Sequence, residues 1–223
     1  MSDNDINLIA RENGLLDEDS FWSENDVPLQ KRGVKIDWII DFFHKIADYR
    51  VQLWKNYHSQ CNAAFYFDFN DTWPKPKIPS LSESEECTPE IAVNNYIKPL
   101  TMKSKTPIYT RIPLEFRGIP KFFVSHPWGQ PLVGQTTMCT LYATSQLLEE
   151  FPENDRYVWI DIISYNQHLF ESIAHDMKAI IGDIGYLVFP LVAMGLSPSP
   201  FNRLWCIWEI MSAYKTKSTI KFF

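Results

Sequence analysis

KFFVSHPWGQ (121–130), a short apolar run that breaks into Ser, His, Pro and Gly, opens the part of the sequence that decides the fold. A helix-period stretch, TTMCTLYATSQLLEEF (136–151), leads from it to RYVWIDIISYNQH (156–168). A second one, FESIAHDMKAIIGDIG (170–185), leads to YLVFPLVAM (186–194). RLWCIWEI (203–210) then reads as helix before STIKFF (218–223). Runs rich in Val, Ile and aromatic residues, alternating with helical segments, predict a parallel α/β sheet. Active sites in open α/β sheets form outside the carboxyl ends of the strands. Those ends carry Ser125, His126, Trp128 and Asp161.

The aromatic run 203–210 holds one carboxylate. On a helix, residues three and four apart share a face, which gathers Trp205, Cys206 and Glu209. A carboxylate against indole shifts its pKa upward, finds a cation such as Arg203, or faces a pocket where a ligand supplies the partner. Other chemistries are open at the strand ends. Ser125, His126 and Asp161 suggest a hydrolase, but neighbours on a strand point to opposite faces and there is no G-x-S-x-G elbow. His126, Asp161 and His168 are metal-ligand types, yet their spacing matches no local metal signature. Hydrogen bonds that fix the loops after the two strands are the simpler role for both histidines. No G-x-G-x-x-G or G-x-x-x-x-G-K-[ST] string is present, so neither a redox nucleotide site nor a P-loop is indicated.

The order of these pieces resembles the TIR domain of the plant type: a first strand ending in F-x-S-x-x-x-G, a second ending in an acidic residue, a third apolar strand, and a W-C-x-x-E helix. TIR-like proteins of algae and other protists are closer still, with S-H-x-W-G, V-W-x-D-I-x-x-x-N-Q-H and R-x-W-C-x-W-E. The resemblance covers 121–223, reaching weakly back to about Val34 through a similar helix and an I-K-P-x-T lead-in. It implies a flavodoxin-like parallel sheet with strands A to D. It makes Glu209 the residue essential for cleaving the nicotinamide glycosidic bond of NAD. Ser125, Trp128, Asp161, Arg203 and Trp205 are then the substrate-binding residues, with NAD as substrate, no cofactor and no metal. Plant members carry a small polar residue where Arg203 stands. The resemblance also implies activity as a homo-oligomer, the loop after the second strand of one copy meeting another copy's pocket. The family continues past its fourth strand with a helix, a fifth strand and a closing helix. The sequence stops at TIKFF, so a longer parent protein or a covering partner is expected.

The chemistry for Glu209 stands without the family. Nicotinamide leaves a pyridinium as a neutral base and needs no acid, whereas the oxocarbenium-like ribosyl centre needs a nearby negative charge. One carboxylate suffices. Trp128, Trp205 or Phe123 offer faces for stacking a base, or serve as core.

The 223 residues accommodate one domain plus a substantial extension. A hydrophobic content of 45% with 15% aromatics builds a real core, and a net charge of −6 argues against a nucleic-acid footprint. Cys61, Cys87, Cys139 and Cys206 form no C-x-x-C pair and fit reduced thiols. MSDNDINLIARENG shows no signal peptide or membrane-spanning stretch, so a cytoplasmic protein without a membrane partner is expected.

We divide the sequence into a polar tail (1–33), a region of long helix, Pro-rich linker and short helix (34–120), and the TIR-like part (121–223). From 35 to about 57, Ile36, Ile39, Ile40, Phe43 and Ile46 line one face of a helix, which packs on the chain's own sheet or on a partner. His44 and His58 on it are expected to be solvated or capping. WPKPKIPSLSESEEC (73–87) reads as an extended arm. Thr88 caps a helix begun by Pro89 and Glu90, which Pro99 is expected to end. The segment 106–120 reads as extended chain. Eight Trp and fifteen Phe exceed the needs of one small domain, which favours a second reading: a non-catalytic scaffold that binds partners in a larger assembly through its N-terminal region.

Overall fold

The computed structural model describes residues 3–17, 27–64, 87–126, 128, 132–133, 140–169, 174–190 and 204–222. Six strands form one sheet: β1 (Gly33–Lys35), β2 (Arg117–Gly118), β3 (Phe122–Val124), β4 (Tyr157–Trp159), β5 (Tyr186–Phe189) and β6 (Thr219–Phe222). Their spatial order is β2-β1-β4-β3-β5-β6. β3 is parallel to β4 and β5, and β5 to β6, so four strands follow the flavodoxin-like order second-first-third-fourth. β1 lies antiparallel between β4 and β2.

The pleat sorts side chains onto two faces. Phe122, Val124, Val158 and Val188 join the larger core, while Phe123, Trp159, Leu187 and Phe189 face the smaller one. Two helices close the smaller core, α7 (Ala174–Ile184) and α8 (Leu204–Thr216), which supply Met177, Ile180, Ile181, Cys206 and Ala213. Phe123 stacks on Trp159 at 4.8 Å and is buried, so it is a core residue and offers no face to a ligand.

The larger core takes in the N-terminal region. Helix α1 (Asp3–Glu12) gives the polar first stretch a structure, because Ile6, Ile9 and Ala10 make a narrow apolar stripe at helical spacing. Helix α2 (Ile36–Ala64) runs past the expected end near 57. Its stripe of Ile36, Ile39, Phe43 and Ile46 is buried in the same cluster as the sheet residues, with Ile40 packed against it, so the stripe packs in cis. His44 is not simply solvated. Its Nε2 shares a hydrogen bond with the Tyr142 hydroxyl of α5 (Thr140–Leu148), tying two helices that cover one face of the sheet.

Thr88 accepts the Ile91 amide at 3.3 Å and begins α3 (Pro89–Ala92) as its sequence predicts. Pro99 does not stop this helix. A π-helical stretch (Val93–Ile97) carries it into α4 (Lys98–Leu100), and the wider π turn accommodates the pyrrolidine ring one residue before the end. A last short helix, α6 (Asp161–Ser164), follows β4 directly. Buried Arg111 binds the N-terminal stretch to this region, its guanidinium donating to the Leu16 carbonyl at 2.8 Å and to that of Leu100. Cys87 and Cys206 are buried and not joined in a disulfide; burial pushes the Cys87 thiol up to about 12. The arm 65–86 and Cys139 lie outside the described residues, as do the side chains of Cys61 and His58. Among the described residues, no helix is long and apolar enough to cross a membrane.

Candidate functional site

The strand order reverses between β3 and β5, and Ser125, His126, Trp128, Asp161 and Glu209 collect at this end of the sheet. Ser125 and His126 follow the last residue of β3, and the alternation of the strand carries them apart. Ser125 goes to the face of Phe123, toward α8. There its hydroxyl donates to Glu209 Oε2, and Ser125 Oγ also lies 3.8 Å from Cys206 Sγ. Glu209 is 4% exposed. The i, i+3 relation that brings Cys206 and Glu209 to one side of α8 is legible in the sequence. The reach across to Ser125 is a contact over 84 positions that no local pattern reports.

His126 turns to β4. The parallel register pairs Phe122 with Val158 and Phe123 with Trp159, which sets Asp161 level with Ser125 and beside His126. The His126 Nε2 to Asp161 Oδ1 distance is 2.6 Å, the Ile162 amide donates to the same oxygen at 2.6 Å, and the Trp128 indole donates to Oδ2 at 3.2 Å. Burial works to raise the Asp161 carboxyl. The facing His126 and the three hydrogen bonds outweigh it and hold the group below the usual carboxylate value. Asp161 is therefore ionised at neutral pH and anchors the tips of two adjacent strands.

The loop after β4 is fastened from behind. Gln167 donates to the Asp161 carbonyl at 2.8 Å, Asn166 donates to the Lys105 carbonyl at 2.7 Å, and His168 Nε2 lies 2.8 Å from Thr101 Oγ1. Both strand-end histidines thus serve in hydrogen bonds that fix loops. Ser125, His126 and Asp161 form no hydrolase relay, since Ser125 bonds to Glu209 and His126 to Asp161. Among the described residues, no group of three His, Cys, Asp or Glu side chains is gathered as a metal site.

Of the expected substrate-binding residues, Ser125 stands with Glu209, and Trp128 stands with Asp161. Trp205 stacks on Trp208 at 5.6 Å and packs against the smaller core, with part of its surface open. Arg203 lies outside the described residues. His126 is missing from the list of binding residues read from the sequence. Its pairing with Asp161 could have been found from the parallel order of the two strands, which places both tips side by side.

These observations define a mixed α/β protein with a six-stranded, mostly parallel sheet and two acidic groups held at its strand ends. No protein family, curated protein or solved structure matches the chain, so its activity is argued from the chemistry of the site.

Proposed function

We propose that the protein is a TIR-type NAD+ nucleosidase that cleaves the nicotinamide–ribose bond and acts as an oligomer. The observation that carries this reading is Glu209, a buried carboxylate fixed by the Ser125 hydroxyl at the end of a parallel sheet, beside the point where the strand order reverses. A negative charge held in a water-poor site stabilises a developing ribosyl cation without reorganisation. The nicotinamide leaves neutral, so no acid is required at the other end of the bond. Trp128 and Trp205, each half-buried, supply the aromatic surface a nicotinamide or adenine ring would stack on.

The test is nicotinamide release from NAD by purified protein at high concentration with a crowding agent, beside Glu209→Gln. We expect release by the wild type and a fall of about 10²- to 10³-fold in the variant, the scale of losing one electrostatic stabiliser. An equal rate in the variant removes Glu209 from the reaction.

A second reading, a non-catalytic TIR-like scaffold, is favoured by the outer face of α8. Leu204 is 83% exposed there, and Met211 and Tyr214 are exposed on the same side. The α2 stripe lends this reading no support, because it is already buried. No release from wild type that is folded and self-associated would favour the scaffold.

A further inference from the structure

The hydrogen-bond pattern fixes how the His126 ring carries its protons. Asp161 is ionised and accepts only, so the ring nitrogen facing it at 2.6 Å, Nε2, bears the hydrogen. When the ring is neutral, Nδ1 is therefore its basic nitrogen. The His126 side chain is 2% exposed, and Nδ1 is buried with no hydrogen-bond partner among the described residues. A buried polar atom without a partner calls for an explanation. The Asp161 carboxylate is engaged on the ring's other nitrogen, and it is itself held by Ile162 and Trp128. A carboxylate that orients an imidazole and stabilises its protonated form leaves the far nitrogen as a proton acceptor.

We propose that His126, positioned by Asp161, is the general base of the second half of the reaction, accepting at Nδ1 the proton of the water that captures the ribosyl cation. This inference rests on the nucleosidase reading above. Once nicotinamide has left, the water oxygen forms a bond to the anomeric carbon, and one of its O–H bonds breaks. The proton goes to Nδ1, and the ring becomes an imidazolium paired with Asp161. The positive charge passes from the ribosyl centre to the ring, and the product is ADP-ribose. The proton later returns to solvent.

The placement of the groups suits this division of labour. Ser125 and His126 are consecutive, so their Cα atoms are about 3.8 Å apart, yet one side chain meets Glu209 and the other meets Asp161. Glu209 and Asp161 thus flank the tip of β3 from opposite faces of the sheet, the disposition of two groups on either side of a sugar that displacement by water requires.

The proposal separates two nucleophiles. Water must lose a proton to become a stable product, whereas an added pyridine base carries none and captures the cation without help. The experiment therefore measures, for wild type, His126→Gln and Asp161→Asn, the ratio of pyridine exchange to hydrolysis with NAD and 3-acetylpyridine. Gln retains an N–H that reaches Asp161 and lacks the basic nitrogen. We expect the ratio to rise about 100-fold in His126→Gln, the low end of what a general base contributes, and to rise in Asp161→Asn. In wild type, D2O should also raise the ratio, because only capture by water moves a proton; this arm needs no variant to fold. An unchanged ratio in a folded His126→Gln, or no D2O effect in wild type, overturns the assignment of His126 and leaves Glu209 standing. No nicotinamide release by wild type at all overturns both readings.

Discussion

Replacing Phe43 by Ala tests whether the N-terminal half and the sheet share one core. Phe43 is fully buried on α2, its ring edge-on to Phe42 at 5.1 Å, in the cluster that contains Val34, Phe122, Val124 and Val158. Truncating such a ring removes its transfer free energy and leaves a cavity, a loss of about 3–5 kcal/mol. Set against a total stability on the order of 5–15 kcal/mol, that is a large fraction. With a urea dependence near 3 kcal/mol/M, the top of the range for small proteins, the midpoint should fall by roughly 1–1.7 M. Leu53→Ala is the control: it lies on the same helix, is 42% exposed, and should change stability by less than about 1 kcal/mol. Urea titrations followed by tryptophan fluorescence and far-UV circular dichroism should show one coincident transition for each protein. A Phe43→Ala midpoint no lower than that of Leu53→Ala would refute the shared core.

Three further outcomes are expected. Asp161 has a folded pKa below its ordinary 3.8, so its stabilisation is complete above that value and is lost as pH falls through the lower folded pKa. The stability gap between wild type and Asp161→Asn should accordingly be full near about pH 6 and shrink toward about pH 2; a gap that does not change with pH contradicts the pairing with His126. At Gly33, an added Cβ would stand 2.6 Å from the Pro120 nitrogen and 2.7 Å from the Gly118 carbonyl oxygen, so Gly33→Ala should force β1 from β2 and cost about 1–3 kcal/mol or more in thermal unfolding. A neutral result there would mean the two strands are not packed as described. Arg111→Leu removes the donors to Leu16 and Leu100 and should cost about 3 kcal/mol, at roughly 1.5 for each charge-assisted bond. Calorimetry should then show a melting temperature lower by about 6–12 °C, and a drop under about 2 °C would show that these bonds hold nothing.

The four parallel strands were legible because each joins a β-branched or aromatic run to a helix-period segment. The α2 stripe was legible because five apolar residues repeat at helical spacing. β1 and β2 were not, since three and two residues are too few to show a period of two. They are strands only because β4 offers Val158 and Tyr157 to pair with β1, and β1 in turn pairs with β2. At the site, α8 announced its own face, and Glu209 and Cys206 could be placed on it from spacing alone. Partners across the chain could not. Ser125 and Glu209, or His126 and Asp161, are joined by sheet order and register, which appear only when the strands are assembled.

The antiparallel pair β1–β2 also limits the symmetry open to copies of this sheet. Growth into an open row by backbone pairing requires two complementary edges on every copy. Here the side that β4 would otherwise expose is occupied by β1 and finished by β2, two residues long and too short to template another strand. In the described chain β6 borders the opposite side. Among the described residues, β6 is therefore the edge long enough for backbone pairing between copies.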